Sequence, residues 1–433
     1  MSLRSRGPVG SAARTAKVLS RFGATTAAMA QRLERYETIT SEVAARPSWP
    51  TTACVLARHP QVLQRYAERG VELAVHGLVH GDHAQLDRAR QRDTIARAMD
   101  IFDRGKLRPT GFRGPYLRYN EATLDVLREL GFAYHSSQAV VFPLPDGEAA
   151  RARATASYAQ ALRLYDALDS QRVAVTPKKR NGIVDIPVAI PDDEILIERL
   201  KLPEGARSGP WLHILEATYR RGELFTLQLH PERIPELGEA LRATLAEARR
   251  RRPRVFIARL DEIAAWWRRR SGFSLHVLRC GADRYLVRLH ADPDATLVVR
   301  GLDVPRTEWF ERDAIADLPV FEVGSPRMPI VGVSRRTPHS VHRFLVEEGV
   351  PFEVSDRSHE YGAHVDVAPG DWAETDVLDA IDRGPGPLVR LWRWPGGARS
   401  ALAVTGDVDA LTLRDFMVRS WETRGWSVRR EYR

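Results

Sequence analysis

Cysteine is nearly absent. Cys54 and Cys280 are the only two in 433 residues, and neither belongs to a Cys-x-x-Cys pair. That count rules out a disulfide-framework protein, and Cys54, inside an apolar run that reads as a strand, is a packing residue. No apolar stretch approaches the ~20 residues that a membrane span needs. Arg4, Arg6 and Arg14 are followed by no apolar core, so no secretory signal is read and the cytoplasm is the expected location. No DNA- or RNA-reading motif is present, so a nucleic-acid partner is not expected. Aspartate is missing from the first 81 residues: the first is Asp82.

What is there fits a soluble globular protein. With 43% hydrophobic and 28% charged residues the chain can bury a sizeable core, and its length suggests two or three domains. The formal net charge is +9, spread mostly as arginine. The densest run, Arg249 to Arg254, closes a helical pattern, where cations complement the helix dipole. That reading is preferred to a nucleic-acid site, and acidic glycans or membrane surfaces stay open as partners.

The most informative segment is His76-Gly77-Leu78-Val79-His80, directly after the short apolar run Val71 to Val75. Gly70 and Gly77 bound that run, so it reads as a strand with both histidines on the loop that follows. Two imidazoles four positions apart can both reach one divalent cation. Three further segments stand out: Gly111-Phe112-Arg113-Gly114-Pro115-Tyr116, Leu227-Gln228-Leu229-His230-Pro231, and Val404-Thr405-Gly406-Asp407-Val408-Asp409.

Taken together these segments resemble the signature of the polysaccharide deacetylases, carbohydrate esterase family 4. The resemblance covers most of residues 30–265. It implies metal-dependent hydrolysis of an N-acetyl group on a glycan or glycolipid precursor, such as a cell-envelope glycan. It also implies His76 and His80 as metal ligands, with one carboxylate of Asp407 and Asp409 as the third. The implied cofactor is a divalent metal, zinc first, with cobalt and nickel as alternatives. The family order of its Asp pair makes Asp407 the general base and Asp409 the ligand, and the reverse stays open. Arg113 matches the arginine that orients the base, His230 the general acid, and Tyr116 a substrate-binding position. His83, beside Asp82, reads as a support to the ligand pair.

One element is displaced. The family's Asp-bearing strand precedes its His-x-x-x-His segment, whereas here the matching strand, Ser400 to Thr405, comes near the C-terminus. A strand that feeds acidic residues from its C-terminal end is how a barrel presents a site. The expected fold is therefore α/β, a distorted (β/α) barrel of the polysaccharide deacetylase type, circularly permuted, with a small β-rich accessory module. A fragment, or a second truncated domain begun by Asp407 and Asp409, is the alternative.

Periodicity divides the chain into a barrel body (1–270), an accessory module (271–395) and a return strand and helix (396–433). Within the body, helical patterns over 13–39, 59–68, 87–103, 120–130, 148–168, 210–221, 235–251 and 262–267 alternate with short apolar runs. Those runs are at 53–56, 71–75, 111–113, 132–134, 184–188, 224–229 and 255–258, and the alternation predicts a mostly parallel sheet. Trp266 and Trp267 are expected to cover the barrel. After Gly272, alternating strands at 273–278, 285–290 and 296–299 predict an antiparallel module, with a helix over 338–348. His339 and His342 read as helix packing, and His359 to His364 carries no firm metal reading. Two functional alternatives stand beside the deacetylase: a catalytically degenerate barrel that binds glycan or a partner, motivated by the altered Asp motif, and hydrolysis of a non-sugar amide.

Overall fold

The computed structural model describes residues 21–147 and 156–424. Nine strands form its main sheet: β1 (Ser48–Thr51), β2 (Glu72–Val75), β3 (Gly111–Phe112), β4 (Tyr134–His135), β5 (Lys178–Arg180), β6 (Ile183–Asp185), β7 (Leu224–Gln228), β8 (Val255–Ile257) and β9 (Ser400–Thr405). Their spatial order is β7-β9-β1-β2-β3-β4-β6-β5, with β8 also on β9. All neighbours are parallel except β5 with β6. The fold is a curled, mixed α/β sheet with accessory sheets.

The late strand β9 sits inside this sheet. Its register runs Leu224 with Ala401 through Gln228 with Thr405 on one side. Its other edge is shared: β8 pairs with Ser400 to Leu402, and β1 takes over where Ser48 meets Thr405 and Thr51 bridges Val408. All six residues of β9 are buried. That explains why Ser400 to Thr405 reads as a nearly unbroken apolar run, the mark of a parallel strand covered on both faces.

Among the helices are α1 (Ala27–Ser41), α2 (Ala53–Arg58), α3 (Pro60–Glu68), α4 (Arg88–Arg104), α5 (Glu121–Glu129), α6 (Ser208–Arg221), α7 (Ile234–Arg250), α8 (Leu260–Arg270) and α9 (Leu413–Glu422). Tyr36 of α1 and Tyr66 of α3 pack on Trp49 of β1, with ring centroids at 5.9 and 5.0 Å. Trp266 and Trp267 are buried with Trp392 and Trp394 in a second apolar cluster beneath the sheet.

Several expectations need correction. The run Ala53 to Leu56 is helix α2, not a strand: the strand is the preceding Ser48–Thr51, hidden by Pro50. Proline withholds a donor, but the Pro50 carbonyl still accepts from Val408 N at 2.7 Å. Cys54 is accordingly a helix residue, half-buried, with its thiol pushed up to about 11 by burial. The run 184–188 is two strands, because Pro187 interrupts it. Ile183–Asp185 stays in the main sheet, and Val188–Ile190 joins a separate parallel sheet with Ala139–Val141 and Leu168–Asp169. Val188–Ile190 also packs beside β7, so the curled sheet turns back on itself there. The expected helices over 13–39 and 148–168 appear as α1 and Ala156–Tyr165, and their parts at 13–20 and 148–155 lie outside the described residues.

Where one antiparallel module was expected, the accessory segment contains two antiparallel sheets and one parallel sheet. In the parallel sheet Met328–Val333 lies between Phe352–Val354 and Tyr361–Val365, with helix His339–Glu348 as crossover. Its central strand is wholly buried, which removes the alternation that an antiparallel strand shows.

At the foot of β2, Glu72 is half-buried and accepts hydrogen bonds from Ser48 Oγ, Tyr134 Oη (2.6 Å) and Asp261 N (3.1 Å). Burial and the nearby Asp261 raise its carboxyl from 4.5 to about 7. A raised carboxyl favours the folded state while protonated, so this contribution is full below about 4.5 and falls as pH climbs through about 7. Glu72→Gln should flatten that part of the stability–pH curve in urea denaturation. An unchanged slope between those two pH values would show that the proton is not held there.

Candidate metal centre

Each side chain of the centre leaves the C-terminal end of a strand. His76 and His80 follow β2, Arg113 follows β3, Gln228 and His230 end β7, and Asp407 and Asp409 follow β9. Two glycines let the segments close up. Gly77 has φ +76°, and a Cβ there would fall 2.4 Å from His83 Cε1. At Gly406 a Cβ would meet the Leu229 carbonyl at 2.7 Å and Tyr36 at 2.8 Å.

His76, His80 and Asp409 are all buried and offer ligand atoms within 4.8 Å of one another. Among the described residues no other group of three or more His, Cys, Asp or Glu comes this close. His76 Nε2 stands 3.5 Å from Asp409 Oδ1, and His80 Nε2 stands 3.2 Å from Asp409 Oδ2. The Nδ1–H of His76 donates to the Arg113 carbonyl at 2.8 Å, which leaves Nε2 as the lone-pair nitrogen facing the centre. His76 Nε2 and Asp409 Oδ1 are buried without a hydrogen-bond partner. Burial first, then the Arg419 charge, holds the His80 imidazole well below its ordinary range, so it is neutral and able to ligate. Buried imidazole and carboxylate donors with unpartnered atoms fit a divalent cation.

Asp407 is a separate carboxylate held by two donors. Arg113 Nη1 reaches its Oδ1 at 2.9 Å and Gln228 Nε2 its Oδ2 at 3.0 Å, while His76 Nε2 lies 3.7 Å from Oδ2. Arg113 is fully buried, and it also donates to Thr405 Oγ1, the Ser136 carbonyl and Ser136 Oγ. On the far side Asp193 accepts from His230 Nδ1 at 2.9 Å. Burial pulls the His230 imidazolium down, but the charge and hydrogen bond of Asp193 outweigh it and hold the pKa well above 6.5. The Nε2–H of a charged His230 is then free for another acceptor. Tyr116 lies over the centre, its ring edge-on to His80 at 4.5 Å; it is 38% exposed and strained at φ +61°.

The seven residues singled out in the sequence, His76, His80, Arg113, Tyr116, His230, Asp407 and Asp409, thus lie around one centre. The aspartates on the segment after β6, like Asp185 at its end, do not pair with Arg113. Asp185 lies by His135 and Arg180, Asp192 caps Ile195, and Asp193 holds His230. His83 donates to the Gly81 carbonyl and is held near pKa 4 by burial, and Asp82 caps Ala84. Sequence reasoning missed Gln228, Asp193 as partner of His230, and Arg419, whose Nη1 donates to Asp409 Oδ2 at 2.9 Å. Only Gln228 carried a signal, two residues before His230 on the same strand. His339 and His342 pack ring against ring, and His364 bonds the Ser355 carbonyl.

Residues 7–135 match the polysaccharide deacetylase family model, a segment that includes His76, His80, Arg113 and Tyr116 but not β7 or β9. A peptidoglycan deacetylase-like protein, FGM2, of Gibberella zeae is 31% identical over 97 residues, 22% of this chain. The chain spans 28% of that curated relative's length. Among solved structures, one assigned as a polysaccharide deacetylase of Mycobacterium smegmatis aligns at 21% identity and TM-score 0.42, covering 54% of this chain and 76% of that one. Another from Pseudomonas aeruginosa PAO1, assigned likewise, aligns at 17% identity and TM-score 0.43, covering 55% and 73%. Among the described residues no helix is long and apolar enough to cross a membrane.

Because Asp193 supplies the charge that keeps His230 protonated, Asp193→Asn should lower the His230 pKa by at least one unit. The shift is readable by NMR titration of the imidazole; an unmoved His230 pKa would mean that the pair does not set its protonation.

Proposed function

We propose that this protein is a metal-dependent deacetylase that hydrolyses an N-acetyl group on a glycan or glycolipid precursor. The observation that carries the reading is the meeting of both carboxylates from β9 with the His76–His80 pair. The same displaced Asp motif, read in sequence as a sign of degeneracy, supports activity once its side chains share a centre with the imidazoles.

His76, His80 and Asp409 would hold the cation. When bound, a divalent cation supplies Lewis acidity toward the amide carbonyl and toward water. Asp407 is the general base. Arg113 and Gln228 clamp its two oxygens, which keeps the carboxylate aimed. His230 is the general acid: Asp193 holds it as imidazolium, so Nε2 can protonate the departing amine nitrogen. Water thus ends as the acetate hydroxyl and the amine proton, with no other reactant needed. Tyr116 offers an exposed aromatic face for the sugar ring.

The test begins with metal analysis of the purified protein. About one equivalent of zinc, cobalt or nickel should be found, and His76→Ala should lose it. Chelation should stop acetate release from an N-acetylglucosamine oligomer, and added zinc should restore it. Asp407→Asn should keep the metal and lower kcat by about 10²- to 10⁴-fold. A protein that holds its metal yet frees no acetate from any N-acetyl sugar would point to a non-sugar amide. One that binds the oligomer without metal would point to a glycan-binding barrel.

A further inference from the structure

Arg419 touches a proposed ligand, yet the proposed chemistry gives it no role. It comes from α9 and donates to Asp409 Oδ2 at 2.9 Å, with Tyr116 beside it. It is not a wandering side chain. Thr412 and Asp415 form a capping box at the start of α9. Asp415 is further held by Arg58 (3.2 Å) and by His59 (2.9 Å), and Glu422 pairs with Arg58. The helix that carries Arg419 is thus anchored to α2 and the turn after it.

The arrangement divides the two oxygens of Asp409. Oδ2 takes Arg419, whereas Oδ1, facing His76 Nε2 at 3.5 Å, is buried and unpartnered. A ligating carboxylate is commonly oriented by a second hydrogen bond, and Arg419 supplies one. A full positive charge does more than orient. Asp407 and Asp409 are each paired with a guanidinium, Arg113 and Arg419, so losing Arg419 would leave the Asp409 charge without its partner and make the centre one unit more negative. Cation affinity follows the charge of the ligand set, and these groups are mostly buried, where salt screens little.

Resting on the metal-dependent reading above, we infer that Arg419 is a charge-setting residue: it weakens the hold of the centre on its cation and leaves the loaded site more positive. The extra positive charge favours an amide oxygen that gains negative charge during hydrolysis, at the expense of metal affinity. Orientation alone predicts the opposite sign, since losing an orienting partner weakens metal binding ~10- to 100-fold.

Metal-free wild type, Arg419→Gln and Arg419→Lys would be titrated with zinc and with cobalt, using calorimetry and the cobalt absorption band. Arg419→Gln keeps a hydrogen-bond donor but loses the charge, and it should bind at least tenfold more tightly, while Arg419→Lys stays within about threefold of wild type. With metal saturating, kcat on the N-acetylglucosamine oligomer should fall for Arg419→Gln with KM little changed. Thermal midpoints of the metal-free proteins monitor the fold, and if Arg419→Gln does not fold, Arg419→Met takes its place. Weaker or unchanged affinity in the charge-removing variant, with wild type binding one cation, overturns this inference and leaves the deacetylase reading standing. No cation bound by wild type overturns both.

Discussion

Thr405, the last residue of β9, is the point on which the main sheet and its centre depend. Its carbonyl accepts from Leu229 N at 2.9 Å and from Tyr36 Oη at 2.8 Å. Its hydroxyl donates to the Leu227 carbonyl and accepts from Arg113. Its backbone is also where β1 meets β9, in register with Ser48. Parallel strands pair through evenly spaced backbone hydrogen bonds, and a one-residue slip would turn Asp407 and Asp409 to the wrong side. The five-residue register with β7 prevents that slip. The geometry of two carboxylates thus follows from a strand drawn from nearly 350 residues beyond its neighbour β1.

Much of this was legible in the sequence because each motif lies where a strand ends. Val71 to Val75 ending in His76, Leu224 to Leu229 ending in His230, and Ser400 to Thr405 ending in Asp407 each pair an apolar run with a polar side chain at its C-terminal end. That is a local pattern, and it survives displacement along the chain. The first strand was misplaced because Ser48-Trp49-Pro50-Thr51 is short and carries a proline, while the more apolar Ala53 to Leu56 lies next to it. Its identity as a strand is set by β2 and β9 on either side, which is tertiary information. Asp193 and Arg419 were missed for a related reason: their partners, His230 and Asp409, lie on other segments, and neither sits in a recognisable local motif. Ordinary propensity cannot report a contact between Asp193 and His230, 37 residues apart.

The accessory segment is joined to the sheet by arginine and tryptophan rather than by apolar packing alone. Arg270, at the end of α8, is buried and donates to the carbonyls of Glu347, Glu348 and Trp392. Arg393 pairs with Glu348 at 2.6 Å and donates to the Arg221 carbonyl, and Trp394 Nε1 donates to the Gly222 carbonyl at 2.8 Å. These bonds surround residues 392–399, the stretch that leads into β9. Planar groups with several fixed donors suit such a seam, because each can satisfy the carbonyls of irregular backbone that no strand pairs. The accessory segment therefore fixes the approach of β9 as well as adding sheets of its own.

The burial of Arg113 links folding to chemistry most tightly. A guanidinium with no exposed surface is costly unless its donors are met, and removing one partner of a buried ion pair typically destabilises by about 3–5 kcal/mol. Two of its four partners, Thr405 Oγ1 and Asp407 Oδ1, belong to β9 and the turn after it. The other two belong to Ser136, at the end of β4. A sheet assembled without β9 would bury a half-satisfied cation at its centre, so the charge that orients Asp407 also penalises every arrangement that lacks Asp407. This late strand needs no separate device to find its place: the cation waiting at the end of β3 makes its own slot the favourable one.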